Sequence, residues 1–239
     1  MLRRKLTRYL CMASAMLVSP IAFATDPQNL NLSTSELRAD TSGFAPRVAA
    51  VNGFREFTQS LLQHETQGLP GGFPLAIQDL QDLRGAVIGH GFQVYEANAQ
   101  SLLAGQRLGE SVKASGIWRF IVQIAGKPAG LLTVDHIDGA WQLVSMGAIE
   151  GSRELAAVHA YHTAKGNKPL RLIRVPQASS DFLEVSSGGS VRFAPLLGAR
   201  EALQRYAIES VQNLTSESLL NETDFMPSIR QSIQHNLAQ

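Results

Sequence analysis

The chain has 239 residues, 21 of them basic and 20 acidic, so its formal net charge is +1. The first 24 positions hold four of the basic residues and no acidic one, so the rest has 17 basic and 20 acidic residues and a net charge of −3. A mildly acidic chain without a basic stripe argues against nucleic acid as a partner and against docking to anionic lipid.

The first 24 residues have the pattern of a secretory signal peptide. Four basic residues come first, an apolar stretch follows, and Ala22-Phe23-Ala24 is an A-x-A cleavage site. The apolar stretch is shorter than the roughly 20 residues that a membrane helix needs, and Pro20 interrupts it. We therefore expect cleavage near Ala24, a periplasmic mature protein and no membrane span after cleavage.

The only cysteine, Cys11, lies in this leader, so the mature chain has no thiol for a disulfide, a nucleophile or a metal site. With 44% apolar residues, the chain has ample material for a packed core. Residues 25–47 are polar and lack apolar periodicity, which predicts a flexible lead-in. We expect one domain over residues 48–239.

The domain is expected to begin with a helical region, residues 48–90. Apolar residues recur at three- and four-residue spacing over 48–65, which predicts an amphipathic helix. Glycine and proline in 68–74 end it, and a short helix is expected at 75–83.

An antiparallel meander is expected next, because short runs rich in β-branched and aromatic residues alternate with tight turns. Asp138-Gly139 is a strong hairpin signal, and Gly126-Lys127 is the expected turn before it. The predicted strands are 91–96, 117–125, 129–137 and 140–146.

The C-terminal part mixes helices with further strands. Ser152 is the expected N-cap of a helix over 152–164. Strands are predicted at 170–175, 182–185 and 191–194, and helices at 199–212 and 224–237. Because strands cluster and do not alternate with helices, the fold class is α+β, with a mostly antiparallel sheet packed with helices.

Two-residue turns would pair Ile117 with His136 and His136 with Trp141. Both faces of the meander are then largely apolar, one of them carrying Trp118 and Phe120. Either helices and the lead-in cover this second face, or it is a binding surface with these two aromatic anchors.

Three histidines are the candidates for chemistry. His159 and His162 lie three apart on one helix face, where they are either metal ligands or partly buried, hydrogen-bonded side chains. His136 lies on the meander beside Trp141. No serine elbow, phosphate-binding loop, calcium loop or clear carboxylate pair is present in the sequence, so no catalytic residue, metal site or cofactor is predicted.

The leading hypothesis is an exported, non-catalytic binding or accessory protein. It would engage an envelope protein partner or a small ligand through the meander and its neighbouring helix. One alternative is a cell-envelope hydrolase or metal-dependent enzyme using the three histidines, and another is a structural subunit of an envelope assembly; the oligomeric state stays open. The candidate binding residues are Trp118, Phe120, His136, Trp141, His159 and His162.

Overall fold

The computed structural model describes residues 43–63, 69, 71–206, 214–215 and 217–239. The predicted signal peptide, residues 25–42 of the lead-in and residues 207–212 of the helix predicted at 199–212 lie outside the described residues. The helices are α1 (Phe44–Gln63), α2 (Ala99–Leu103), α3 (Ile149–Ala164), α4 (Leu197–Arg205) and α5 (Glu222–Leu237). The strands are β1 (Val87–Ala97), β2 (Val112–Ile124), β3 (Lys127–Ile137), β4 (Ala140–Gly147), β5 (Lys168–Val175), β6 (Ser180–Ser187) and β7 (Ser190–Pro195).

The seven described strands form one sheet in the order β4-β3-β2-β1-β5-β6-β7. All neighbours are antiparallel except β1 and β5, which are parallel. Since β4 is at one edge and β5 is near the centre, α3 carries the chain back across the sheet between them. The predicted α+β class with a mostly antiparallel sheet is confirmed, in one compact domain.

The two hairpins of the meander turn at Ala125-Gly126 and Asp138-Gly139, and all four turn residues have positive φ. Positive φ at both positions is the type I′ geometry, whose twist suits a two-residue hairpin. The predicted turn at Asp138-Gly139 is confirmed. The other turn lies one residue earlier than the predicted Gly126-Lys127.

The pairing of β2 with β3 differs from the predicted one by one residue. The earlier turn shifts the pairing by two residues, and a bulge between Val122 and Gln123 shifts it back by one. Trp118 pairs with Val134, and the predicted pair of Ile117 with His136 is wrong. A shift of one residue moves every side chain of a strand to the other face. Trp118 and Phe120 consequently share a face with Leu132 and Val134. The predicted pair of His136 with Trp141 is confirmed.

Helices pack on both faces of the sheet. One face carries α1 over β2, β3 and β4, with α5, α2 and α4 over β5, β6 and β7. The other face carries α3, whose Leu155 and Val158 pack on Phe92, Leu172 and neighbouring apolar side chains. The sheet is thus the middle layer of the domain, and this explains why both faces of the meander are apolar in sequence.

Several boundaries differ from the predicted ones. The helical region does not reach residue 90, because β1 begins at Val87. The short helix expected at 75–83 is a 3₁₀ segment over Leu80–Gly85, capped by Asp79. The stretch before residue 117 also holds α2, and β2 already begins at Val112.

Ser152 does not cap α3. The helix begins at Ile149, directly after β4, and Ala148 occupies the N-cap position with φ 50°. Ser152 is buried in the first turn, where its hydroxyl donates to the carbonyl oxygen of Ile149 at 2.7 Å. A serine hydroxyl can bond to the backbone inside a helix as well as at its start, so the residue type alone did not locate the cap.

Candidate functional site

A cleft of about 130 Å³ lies between the first turns of α3 and the start of α4, on the α3 face of the sheet. Three charged side chains reach it from different elements: Arg119 from β2, Glu154 from α3 and Asp181 from β6. Its apolar walls are formed by Leu131, Leu155, Leu172, Leu196 and Leu197. Apolar walls with a few charged groups are the composition typical of a small-ligand site.

Arg174, on the strand next to Asp181, holds the carboxylate of Asp181. Its Nε and Nη2 donate to the two carboxylate oxygens at 3.0 and 3.1 Å, the bidentate geometry that guanidinium groups favour. The pKa of Arg174 is raised, chiefly by this hydrogen bonding. Arg174 therefore supplies both side-chain hydrogen bonds to Asp181.

Arg119 lies on the other side of the same carboxylate but is only loosely bound to it. Its Nη1 is 3.6 Å from Oδ2 of Asp181, and its guanidinium makes no hydrogen bond within the described part of the chain. Burial lowers the pKa of Arg119, the nearby charge of Arg174 lowers it further, and Asp181 opposes both. Arg119 is thus a partly buried cation with one ion-pair contact, and its N–H donors make no hydrogen bond to a described residue.

Glu154 is the second carboxylate of the cleft, and it too is already paired. One oxygen accepts from the backbone N–H of Leu197 at 3.0 Å, at the first residue of α4. The other oxygen is 2.6 Å from Nη2 of Arg200. Asp181 is held more closely by Arg174 and Glu154 by Arg200, so Arg119 keeps only its 3.6 Å contact with Asp181.

The backbone around the cleft has an uncommon conformation. Within the described residues, four non-glycine residues have positive φ. Ala125 and Asp138 are explained by the hairpin turns, whereas Ala148 and Ser179, both with φ 50°, line the cleft. Non-glycine residues in this region are enriched where a binding site is held in shape by its surroundings.

The sheet face that carries Trp118 and Phe120 is covered. Both side chains are buried, at 6% and 2% exposure, beneath Ala50 and Phe54 of α1. This face was expected to be either covered by helices or exposed as a binding surface, and the structure shows that α1 covers it. The two aromatic rings belong to the core and do not reach the cleft.

His136 and Trp141 form a separate pair on the β3–β4 hairpin. Their rings meet edge to face with centroids 5.0 Å apart, and His136 is exposed while Trp141 is half-buried. Neither residue lines the cleft.

The two histidines of α3 have different surroundings. His159 stacks on His90 of β1 with ring centroids 4.2 Å apart, and Phe92 packs edge-on against both rings. His162 is buried at 1% exposure, with Nδ1 3.5 Å from the side-chain amide of Asn167 and Nε2 without a hydrogen-bond partner among the described residues. Burial lowers the pKa of both. The structure does not bring His136, His159 and His162 together in one cleft.

The residues that form the cleft were not among the predicted site residues. Their signal is charged residues in or beside largely apolar runs. Arg119 lies in Ile117–Ile124, Arg174 lies with Arg171 in Leu170–Val175, and Asp181 directly precedes Phe182. Charged residues are rarely buried without a partner, so such positions predict an ion-pair network or a site. Only the order of strands in the folded sheet shows that these charges meet.

Within the described residues, no three His, Cys, Asp or Glu side chains are grouped so as to hold a metal ion. No helix among those residues is both long and apolar enough to cross a membrane. In comparisons with known proteins, the chain matches no family profile, no curated protein and no solved structure.

Proposed function

We propose that the chain is an exported, non-catalytic binding protein that holds a small carboxylate with a short apolar tail in the Arg119 cleft. The observation that carries the proposal is the guanidinium of Arg119, which is partly buried at the cleft and makes no hydrogen bond to the described residues. A bound carboxylate would accept two parallel N–H bonds from it.

The size and lining of the cleft support a small ligand of this class. Its volume of about 130 Å³ is below the roughly 300–1,000 Å³ of pockets for drug-sized molecules. Leucine side chains offer an apolar tail a favourable contact. Inorganic phosphate would need more donors than one guanidinium, and the N–H of Leu197 at the start of α4 is already bound to Glu154.

Export is the second part of the proposal. It is supported by the basic start, the apolar stretch and the A-x-A site of residues 1–24. Fractionation of producing cells and N-terminal sequencing should find the protein in the periplasm, starting at or near Thr25. A full-length chain retained in the cytoplasm would overturn this part.

Butyrate is a suitable first probe, with the neutral butyramide as the matched ligand and sodium chloride as the ionic-strength control. A ligand at about one hundred times its Kd raises the free energy of unfolding by about 2.7 kcal/mol. We expect butyrate, but not butyramide or chloride, to stabilise the mature protein in urea unfolding.

Arg119→Met is the matched variant. It should fold, because Asp181 keeps both hydrogen bonds from Arg174 and no carboxylate is left unpaired. It should no longer respond to butyrate, whereas Arg153→Met, which removes an exposed arginine on α3, should respond normally. An equal response of Arg119→Met, or phosphate binding as tight as carboxylate binding, would contradict the proposed ligand class.

A further inference from the structure

The two edges of the sheet are protected very differently. At the β7 edge, Phe193 exchanges both backbone hydrogen bonds with Leu220, at 3.0 and 2.9 Å, and the strand contains Arg192 and Pro195. At the β4 edge, no described residue pairs with the outer side of the strand. Its sequence, AWQLVSMG, has neither a charged residue nor a proline. Charged residues and prolines are common on open sheet edges, where they prevent pairing with other strands.

The register identifies the backbone groups of β4 that no described residue pairs. The turn at Asp138-Gly139 makes Ile137 and Ala140 a hydrogen-bonded pair, and bonded and non-bonded pairs alternate along antiparallel strands. The backbone N–H and C=O groups of Trp141 and Leu143 therefore point away from β3. The regular part of the edge ends after Leu143, because Val144 is an extra residue in a bulge.

We infer that β4 pairs antiparallel with β4 of a second copy of this chain, about a two-fold axis at Gln142. That register places Trp141 opposite Leu143 of the second copy, and Leu143 opposite its Trp141. All four outward N–H groups and all four outward C=O groups of these residues then meet partners. Because the strand has no charged side chain, the two copies meet there without like-charge repulsion.

The side chains at this edge suit the same arrangement. Trp141 and Leu143 are half-buried on the α1 face and would extend the core across the junction. A groove of about 360 Å³ lies between α1 and β4 beside Leu143, with room for an indole ring. Glu56 lines it and supplies an acceptor for the indole N–H, which needs one when buried.

The test is the oligomeric state of the mature chain, measured by sedimentation over micromolar to millimolar concentrations. We expect a reversible monomer–dimer equilibrium. Gln142→Lys places two like charges on the axis and should abolish the dimer. Its exposed side chain faces solvent in the monomer, so the variant should stay folded. Gln106→Lys, exposed on a distant loop, should dimerise like the parent.

A charge-swap experiment tests the position of the axis. Gln142→Glu alone should also be monomeric, whereas an equimolar mixture of Gln142→Lys and Gln142→Glu should restore a mixed dimer through opposite charges. A parent that is monomeric at every concentration would overturn the inference. A dimer that tolerates Gln142→Lys would overturn it as well.

Discussion

Gly198, in the first turn of α4, lies against the carbonyl oxygen of Ser179, so that a Cβ added to Gly198 would be 2.6 Å from that oxygen. Both residues line the cleft. The close approach joins the start of α4 to the turn before β6. The shape of the cleft therefore depends on the absence of a side chain at position 198.

Gly198→Ala should destabilise the protein and weaken ligand binding. The contact is with backbone, which cannot rotate away, so the start of α4 must move at a cost of about 1–3 kcal/mol. Urea unfolding measures the loss. Gly85→Ala is the matched control: its Cβ would meet nothing within 4 Å, and we expect a change within about 0.5 kcal/mol. Equal stability of the two variants would contradict the close contact.

Breaking the buried ion pair of Arg171 and Glu184 should be among the most damaging single changes. Glu184 is 3% exposed, and Arg171 donates to both of its carboxylate oxygens and to the carbonyl oxygen of Gly109. Arg171→Met leaves a buried carboxylate unpaired, which typically costs about 3–5 kcal/mol.

The comparison for that change is Arg153→Met, which breaks the exposed pair with Glu150. Exposed pairs contribute little, so its free energy of unfolding should fall by less than about 1 kcal/mol. If chemical denaturation gave similar losses for both variants, burial would not be what makes the Arg171–Glu184 pair important.

Stability should fall as the pH falls from 6.5 towards 4, partly because of His90. Burial, and then the charges of His159 and Arg47, lower the pKa of His90 from its ordinary 6.5 to about 4. In that window the unfolded chain binds more protons than the native protein, so acidification favours unfolding, and this contribution to stability is fully present above pH 6.5.

His90→Gln should make the pH dependence of the free energy of unfolding shallower. His90 is more than a third exposed, so solvent screening keeps the difference below about 1 kcal/mol. Denaturant titrations at several pH values between 4 and 7 make the comparison, and an unchanged slope in His90→Gln would count against the stacked histidine pair.

Gly53→Ala tests the contact between α1 and β4. Alanine improves helix propensity by about 1 kcal/mol over glycine. Its Cβ, however, would lie 2.6 Å from Cβ of Leu143, which cannot rotate out of the way. We expect the clash to win, with a net loss of about 1–2 kcal/mol in urea unfolding. Asn52→Ala, exposed on the same helix, should leave the free energy of unfolding unchanged or raise it slightly. If Gly53→Ala were the more stable of the two variants, α1 would pack less closely on β4 than the structure shows.

Local signals predicted the described strands and long helices, but they missed α2 and did not determine every register. Asp138-Gly139 was identified because both residue types tolerate positive φ. The preceding turn was misplaced because Ala125, a residue type that seldom has positive φ, occupies its first position. Moving this turn by one residue changes the pairing by two and keeps the faces. The bulge between Val122 and Gln123 adds the odd shift that exchanges the two faces of β2, and with them the predicted surroundings of Trp118.

The residues that form the cleft could not be predicted from the sequence, for a different reason. Arg119, Glu154 and Asp181 come from β2, α3 and β6, and no local pattern relates them. These residues come together because β5 pairs with β1 and α3 crosses one face of the sheet. The pairing of β1 with β5 cannot be predicted from a single sequence. Charged residues within the apolar strands indicate that buried ion pairs form, but they do not indicate which residues pair with each other.

The parallel pairing of β1 with β5 also bears on how the protein assembles. The meander and the C-terminal hairpin each form from contacts close in sequence, whereas β1 and β5 are joined only after a long loop has closed. Arg119 belongs to the first half and Asp181 to the second. The cleft is therefore absent from any intermediate in which the halves have not docked. The proposed ligand, if bound there, would slow their separation without helping either half to form.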